Sequence, residues 1–116
     1  MDRLQLLRNQ FTADMFEGVR TLSREYGYSA TRFLEMVRDT DGVEAARTLL
    51  RGPRTSYGFE ILWEKKQLGR SVEAWLLHPK YEDLFTDDER EIAKRRLEDH
   101  EFDVDRYLRE LDVNTS

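Results

Sequence analysis

Apolar residues recur every three or four positions through the first 26 residues of this chain. This spacing follows the turn of an α-helix, about 3.6 residues, and it predicts one long amphipathic helix. Gly18 interrupts the helix at a cost of about 1 kcal/mol relative to alanine, which a buried stripe of this length can absorb. Gly27 is the predicted C-cap. The stripe consists of Leu4, Leu7, Phe11, Met15, Val19, Leu22 and Tyr26.

The rest of the chain divides into short helical segments separated by capping and turn residues. Predicted helix starts are Ser29, Ser56, Ser71, Thr86 and Asp103, and predicted ends are the turn at 39–42, Gly52–Pro53 and Pro79. Thr86 and Glu89 form a capping box, the clearest start signal in the chain. No segment alternates with a period of two, so we expect an all-α, compact single-domain bundle of six or seven helices. The long N-terminal helix is followed by short ones.

The same patterns predict which side chains are buried. The segment "VEAWLL" after Ser71 is apolar on nearly all sides and is the expected central element. We expect the domain to span 1–112, with a frayed tail at 113–116. Inward-facing positions are predicted at Phe59, Leu62 and Trp63 in the fourth helix and at Ile92, Ala93 and Leu97 in the sixth.

Composition limits the class of protein. The chain has 116 residues, of which 39% are hydrophobic and 37% charged, and it has no cysteine. It is too aromatic for a disordered segment and too charged for a membrane protein. The absence of cysteine excludes disulfides and thiolate chemistry and fits a cytoplasmic location. We expect no cofactor and no membrane association.

The net charge of −5 is unevenly distributed: residues 1–42 sum to −1, residues 43–80 to +3 and residues 81–116 to −7. Two candidate binding surfaces follow from this distribution. The basic surface would contact phosphates through Arg47, Arg51, Arg54, Lys65, Lys66 and Arg70. The acidic surface would face a basic partner through Asp87, Asp88, Glu91, Asp99, Glu101, Asp103 and Asp105.

Two apparent site motifs in the middle of the chain favour structural readings. The segment from Leu62 to Pro79 resembles a helix-turn-helix, but its second helix offers few polar side chains for reading bases. Two packed core helices are the preferred interpretation. Glu64 and Glu73 would make an acid/base pair if they converged, yet Glu73 also suits the first turn of a capped helix.

Two further motifs lie near the C-terminus. Arg95 and His100 have the spacing of the helical HEPN-class ribonuclease motif, although Arg96 replaces the polar residue that follows the motif arginine. Residues 99–110 resemble a calcium loop, but Val104 occupies the position that requires glycine. The two histidines, 22 residues apart, do not form a zinc motif. We therefore predict no metal site and no catalytic residue.

The segment "GFEILWEKKQLGRSVEAWLLHPKYEDLFTDDEREIAKRRLEDH", residues 58–100, resembles a family of small bacterial proteins of unknown function. The upstream segments "YGYSATRFLEMV" and "GVEAARTLL" extend the likeness to about residues 20–105. The resemblance implies a setting near restriction or other phage-defence genes, and it implies no reaction. The chain departs from the pattern at Gly69-Arg70. It also departs at His100-Glu101, where the second residue of the pair is usually glycine in the family. The matching positions are Gly58, Phe59, Leu62, Trp63, Glu64, Val72, Glu73, Ala74, Pro79, Leu84, Phe85, Thr86, Glu89, Arg95, Arg96 and Leu97.

The sequence therefore favours a small non-catalytic protein-binding adaptor or regulatory module, in a phage-defence or counter-defence setting implied by the resemblance. The first alternative is a nucleic-acid-binding accessory protein that uses the basic residues of 47–70. The second alternative is a HEPN-like ribonuclease.

Overall fold

A computed structural model describes the backbone of residues 2–115 and the side chains of residues 2–112. Within this part of the chain the structure is all-α, as predicted, with seven α-helices and two 3₁₀-helices packed as one bundle. The helices are α1 (Arg3–Tyr26), α2 (Thr31–Asp39), α3 (Gly42–Arg51), α4 (Tyr57–Glu64), α5 (Val72–Leu77), α6 (Asp87–Asp99) and α7 (Val104–Thr115), and the 3₁₀-helices are Leu68–Arg70 and Pro79–Leu84.

The long N-terminal helix α1 is continuous through Gly18. Asp2 caps its start by accepting a hydrogen bond from the backbone N–H of Gln5 at 2.8 Å. Gly27 ends it in the left-handed conformation, with φ of 67°, as predicted. Phe11 and Met15 are fully buried on the inner face of the helix. Most of the stripe from Leu7 onward therefore packs on the core, whereas Leu4 at its start is 48% exposed.

Gly42 sets how closely α3 approaches α1. A Cβ atom at this position would lie 2.7 Å from the Cα of Thr12, closer than two carbon atoms can pack. The missing side chain also lets the Gly42 N–H donate to the Thr12 hydroxyl at 2.8 Å. Because the neighbouring atom belongs to the backbone, only glycine fits this crossing.

Helix α5 is the central buried element, as expected from its apolar sequence. Ala74, Leu76 and Leu77 are all buried. The segment that joins α4 to α5 contains the first 3₁₀-helix, and that helix packs against both α4 and α5. A helix buried in this way cannot enter a DNA groove.

The sequence "KYEDLF" forms part of the core, although its pattern indicated only a connection between helices. Most of it belongs to the 3₁₀-helix Pro79–Leu84, and Tyr81 is fully buried. The ring of Phe11 packs edge-on against Tyr81 at 5.0 Å and against Phe85 at 5.2 Å between centroids. These aromatic rings join α1 to the segment before α6.

Three local predictions are wrong. Ser29 does not cap α2: the N-cap residue is Ala30, which has no side-chain hydrogen bond. Ile92 is 41% exposed, because Ala93 and Leu97 alone provide the buried contacts of α6. Trp63 is 49% exposed, whereas Phe59 and Leu62 on the same helix are buried.

The C-terminal segment expected to fray, 113–116, is helical as far as Thr115. The side chains of 113–115 and the whole of Ser116 lie outside the described residues. None of the helices in the described part of the chain combines the length and apolar character needed to cross a membrane.

The capping box at the start of α6 supplies the first testable prediction. The Thr86 hydroxyl accepts from the Glu89 N–H at 3.1 Å, and the Glu89 carboxylate accepts from the Thr86 N–H at 2.8 Å. We expect Thr86→Ala to lower the free energy of unfolding by about 1 kcal/mol, measured by urea denaturation. Thr48→Ala, at an exposed position inside α3, is the matched control, and equal losses in both variants would refute the cap's role.

Candidate functional site

The predicted basic surface is divided by internal ion pairs. Arg47 lies inside the bundle, where it donates to Glu89 at 2.9 Å and to the Leu84 carbonyl at 2.8 Å, and pairs with Glu44. Arg70 pairs with Glu25 at 2.8 Å. Two of the six predicted cations therefore have carboxylate partners within the chain. The four other members of the set, Arg51, Arg54, Lys65 and Lys66, are exposed.

All seven residues of the predicted acidic surface are exposed, in two groups. Asp87, Asp88 and Glu91 lie in the first turns of α6, where carboxylates complement the helix dipole. The second group surrounds the connection between α6 and α7 and consists of Asp99, Glu101, Asp103 and Asp105. About 18 Å separates the two ends of a 13-residue helix, so one small contact cannot cover both groups.

The residues of the ribonuclease motif have different environments. The side chain of Arg95 is 72% exposed and lies 3.7 Å from Glu91. His100 is half-buried, and its Nδ1 lies 2.7 Å from the Arg96 carbonyl. The imidazole packs edge-on against Phe59 at 4.8 Å and Trp63 at 4.9 Å. His100 is therefore held by an aromatic cluster.

The carboxylates of the apparent calcium loop, 99–110, extend from the end of α6 into α7. Asp103 caps α7 by accepting from the Arg106 N–H at 3.0 Å. Across the residues that the structure describes, no three histidine, cysteine or carboxylate side chains group as metal ligands. Glu64 is exposed and Glu73 is buried, so these two glutamates do not form a pair.

The half-exposed indole of Trp63 forms a wall of a groove with about 690 Å³ of space, part of it open solvent. His100 and Phe102 lie beside it, and Glu64 and Glu101 bring carboxylates to its lining. We call this feature the tryptophan groove, lined by Trp63, Glu64, Lys66, Leu68, His100, Glu101 and Phe102.

Two helix ends with the same geometry meet at the tryptophan groove. At the end of α4 the Gln67 N–H donates to the Leu62 carbonyl at 2.7 Å, and at the end of α6 the Phe102 N–H donates to the Leu97 carbonyl at 3.0 Å. Both are Schellman motifs, whose left-handed residue is usually glycine. Here the left-handed residues are Lys66, with φ of 58°, and Glu101, with φ of 63°. Each of them lines the groove, so charged side chains occupy strained positions there.

A second, separate opening lies between α1, α2, α4 and α5. It has about 590 Å³ of space, part of it open solvent, and the buried Glu73 is one of its lining residues. We call it the Glu73 cleft. Its walls are mainly apolar, and its polar side chains include Asp14, Arg70 and Ser71. The apolar lining residues include Met15, Val19, Leu22, Phe33, Leu49, Phe59, Leu62, Val72 and Trp75.

Glu73 is 1% exposed, and its closest oppositely charged group is Arg96, whose guanidinium lies 3.5 Å from the carboxylate. That distance is at the limit of a hydrogen bond. Burial raises the pKa of the Glu73 carboxyl, and the nearby Arg96 opposes this rise only in part. The carboxyl also accepts from its own backbone N–H, which opposes the rise as well. Its two oxygens have about four acceptor positions, so it keeps capacity for further hydrogen bonds.

Most of the hydrogen bonds of Arg96 hold the C-terminal end of α3. Its guanidinium donates to the carbonyls of Leu49 at 3.2 Å, Leu50 at 3.1 Å and Gly52 at 2.6 Å. The last carbonyls of a helix lack the usual intrahelical donor; here the Leu49 carbonyl also accepts from the Gly52 N–H at 3.2 Å. Arg96 therefore joins α3, α5 and α6 at one point.

Sequence reasoning missed the two arginines that organise the bundle and the two openings. Arg47 was assigned to a binding surface, and Arg96 was noted only within motifs. Trp63 was expected to be buried. The sequence signal that could have indicated the cleft was Glu73 itself, a charged residue within the apolar segment "VEAWLL".

No significant match was found for this chain among protein-family models, curated proteins or solved structures.

The dependence on Arg96 is testable with a double-mutant cycle. We expect Arg96→Met to lower the free energy of unfolding by about 3 kcal/mol, because it removes the cation nearest to Glu73 and a donor from three helix-end carbonyls. Adding Glu73→Gln removes the uncompensated charge, so the double variant is expected to recover part of this loss. Losses that simply add would show that the two side chains are not coupled.

Glu73 also determines a pH dependence of stability. A carboxyl with a raised pKa in the folded state binds its proton more tightly there than in the unfolded chain, whose value is near 4.5. Raising the pH above that value therefore favours the unfolded state until the folded group has also ionised.

We expect wild type to lose stability relative to Glu73→Gln as the pH rises through this window. Urea denaturation of both proteins across the pH range measures the difference. The comparison is necessary because other carboxyls act oppositely: the hydrogen bond from Arg70, for example, holds the pKa of Glu25 below its ordinary value. A difference between the two proteins that does not change with pH would contradict the assignment.

Proposed function

We propose that this chain is a small protein-binding module whose tryptophan groove receives a basic segment of a protein partner. The observation that carries the proposal is the half-exposed indole of Trp63 at a groove with an acidic rim. Tryptophan is among the residues that contribute most energy at protein interfaces. Its rigid ring also loses little conformational entropy when a partner covers it.

Charge supports a basic occupant. Glu64 and Glu101 line the groove, and Lys66 is the cation among its lining residues. Asp99, Asp103 and Asp105 flank this lining along the chain and are exposed. Carboxylates around a groove raise the rate at which a basic segment meets it, and an aromatic face binds lysine or arginine through a cation–π contact.

The backbone gives a second line of support. Glycine would relieve the left-handed strain at Lys66 and Glu101, yet both positions carry charged side chains at the groove. Strain of this kind often accompanies binding sites. We infer that the side chain of Glu101 serves the partner rather than the fold.

The alternatives have less geometric support. Of the predicted phosphate-binding surface from 47 to 70, Arg47 and Arg70 have carboxylate partners within the chain, which leaves Arg51, Arg54, Lys65 and Lys66 as its exposed cations. A ribonuclease would require Arg95 and His100 to converge on one phosphate, yet Arg95 is turned to solvent beside Glu91. The proposal includes a cytoplasmic location, which fits the absence of cysteine. It also includes a phage-defence setting, which rests on the family resemblance.

The proposal is tested by capture from nuclease-treated lysate of the native cells, followed by mass spectrometry. We expect a protein partner whose contact segment is basic, mapped to the groove by chemical crosslinking. Trp63→Ala is expected to weaken its affinity roughly 30-fold, which corresponds to about 2 kcal/mol. Ile92→Ala, another exposed apolar side chain but on the middle of α6, is the matched control.

Glu101→Gly separates binding from folding. It removes a carboxylate from the groove and relieves a left-handed residue, so we expect stability higher by about 0.5–1 kcal/mol together with weaker partner binding. A partner that all variants retain equally, or nucleic acid released by salt as the only bound material, would overturn the proposal.

A further inference from the structure

Gly18, in the middle of α1, borders the Glu73 cleft, and helix packing does not require glycine at this position. A Cβ atom at Gly18 would meet no atom within 4 Å, and its φ is not in the left-handed region. Glycine is unfavourable inside a helix, where it costs backbone entropy. At this position the packing would accept alanine or a larger side chain. What glycine does at this position is leave space open beside the cleft.

The cleft has the composition of a small-molecule site. Such sites have mostly apolar walls and a small number of placed polar groups. Here Phe33, Phe59 and Trp75 are among the wall residues, and the buried polar residues of the lining are Glu73 and Ser71. Ser71 is already committed, because its hydroxyl donates to the Leu68 carbonyl and accepts from the Ala74 N–H.

The charges that line the cleft favour a cation. Glu73 and Asp14 are carboxylates of its lining, and Glu17 lines a neighbouring space that shares Asp14 and Gly18 with it. Asp14 accepts a hydrogen bond from the Tyr81 hydroxyl. Arg70 is the cation of the lining, and its charge is offset by Glu25 at 2.8 Å.

We propose that the Glu73 cleft binds a small amphiphilic amine, with its apolar part between α1 and α4 and its ammonium group against the Glu73 carboxylate. An ammonium has three donors and would supply the hydrogen bonds that Arg96, at 3.5 Å, makes poorly. This site is separate from the tryptophan groove, and the proposal does not depend on the proposed protein partner.

The test uses n-alkylammonium ions of increasing chain length, each matched with an n-alkanol and an n-alkanoate, below their micelle concentrations. Binding to the full chain is measured by isothermal titration calorimetry. We expect the ammonium ion to bind roughly tenfold or more tightly than the alkanol, and affinity to increase with chain length. The alkanoate is expected not to bind.

Two variants locate the site. Glu73→Gln is expected to remove the preference for ammonium over alkanol, whereas Glu60→Gln, which changes an exposed glutamate that lines neither opening, leaves it intact. Gly18→Leu fills the cleft and is expected to abolish binding of both probes, with a melting temperature at or above that of wild type. The stable blocked variant excludes unfolding as the cause of lost binding.

The proposal is overturned if no alkylammonium binds to wild type. It is also overturned if ammonium and alkanol bind equally, or if Glu73→Gln retains the preference. Binding that survives in a folded Gly18→Leu variant would place the amine elsewhere on the protein and would equally refute this site.

Discussion

The bundle depends on one guanidinium, that of Arg96. It extends from α6 to the carbonyls that end α3, and its remaining charge faces the carboxylate of Glu73 on α5. Helix ends inside a bundle need donors, and a buried carboxylate needs a counter-charge. A single side chain meets both needs where three helices converge. This contact ties α5, which supplies Val72, Glu73 and Trp75 to the lining of the Glu73 cleft, to α3 and α6.

The same arrangement leaves Glu73 incompletely neutralised. Three of the bonds made by Arg96 go to backbone carbonyls, so the carboxylate receives only a long contact. Burial then raises the pKa of Glu73 and leaves an acceptor at the end of an apolar cleft. A purely structural ion pair would be expected to have shorter, bidentate geometry. The long contact between Arg96 and Glu73 therefore differs from the geometry expected of an ion pair that only stabilises the core.

His100 lies between the two openings. Its ring packs on Phe59, which lines the Glu73 cleft, and on Trp63, which lines the tryptophan groove. The two openings are thus separated by one layer of aromatic side chains at this point. Trp63 remains half-exposed because the inner face of α4 is already filled by Phe59 and Leu62, and a helix of eight residues has few inward positions.

The sequence by itself determined the helical layout, because apolar periodicity, capping residues and turn residues act over a few neighbouring positions. The long first helix, the cap at Gly27 and the capping box at Thr86 are of this kind. Only the tertiary structure decided that Trp63 faces solvent and that Arg96 reaches carbonyls 44 to 47 positions away in the chain. Those outcomes depend on which helices pack against each other. Local sequence patterns do not show which residues cover a given helix face, or how far a charged side chain lies from its counter-charge.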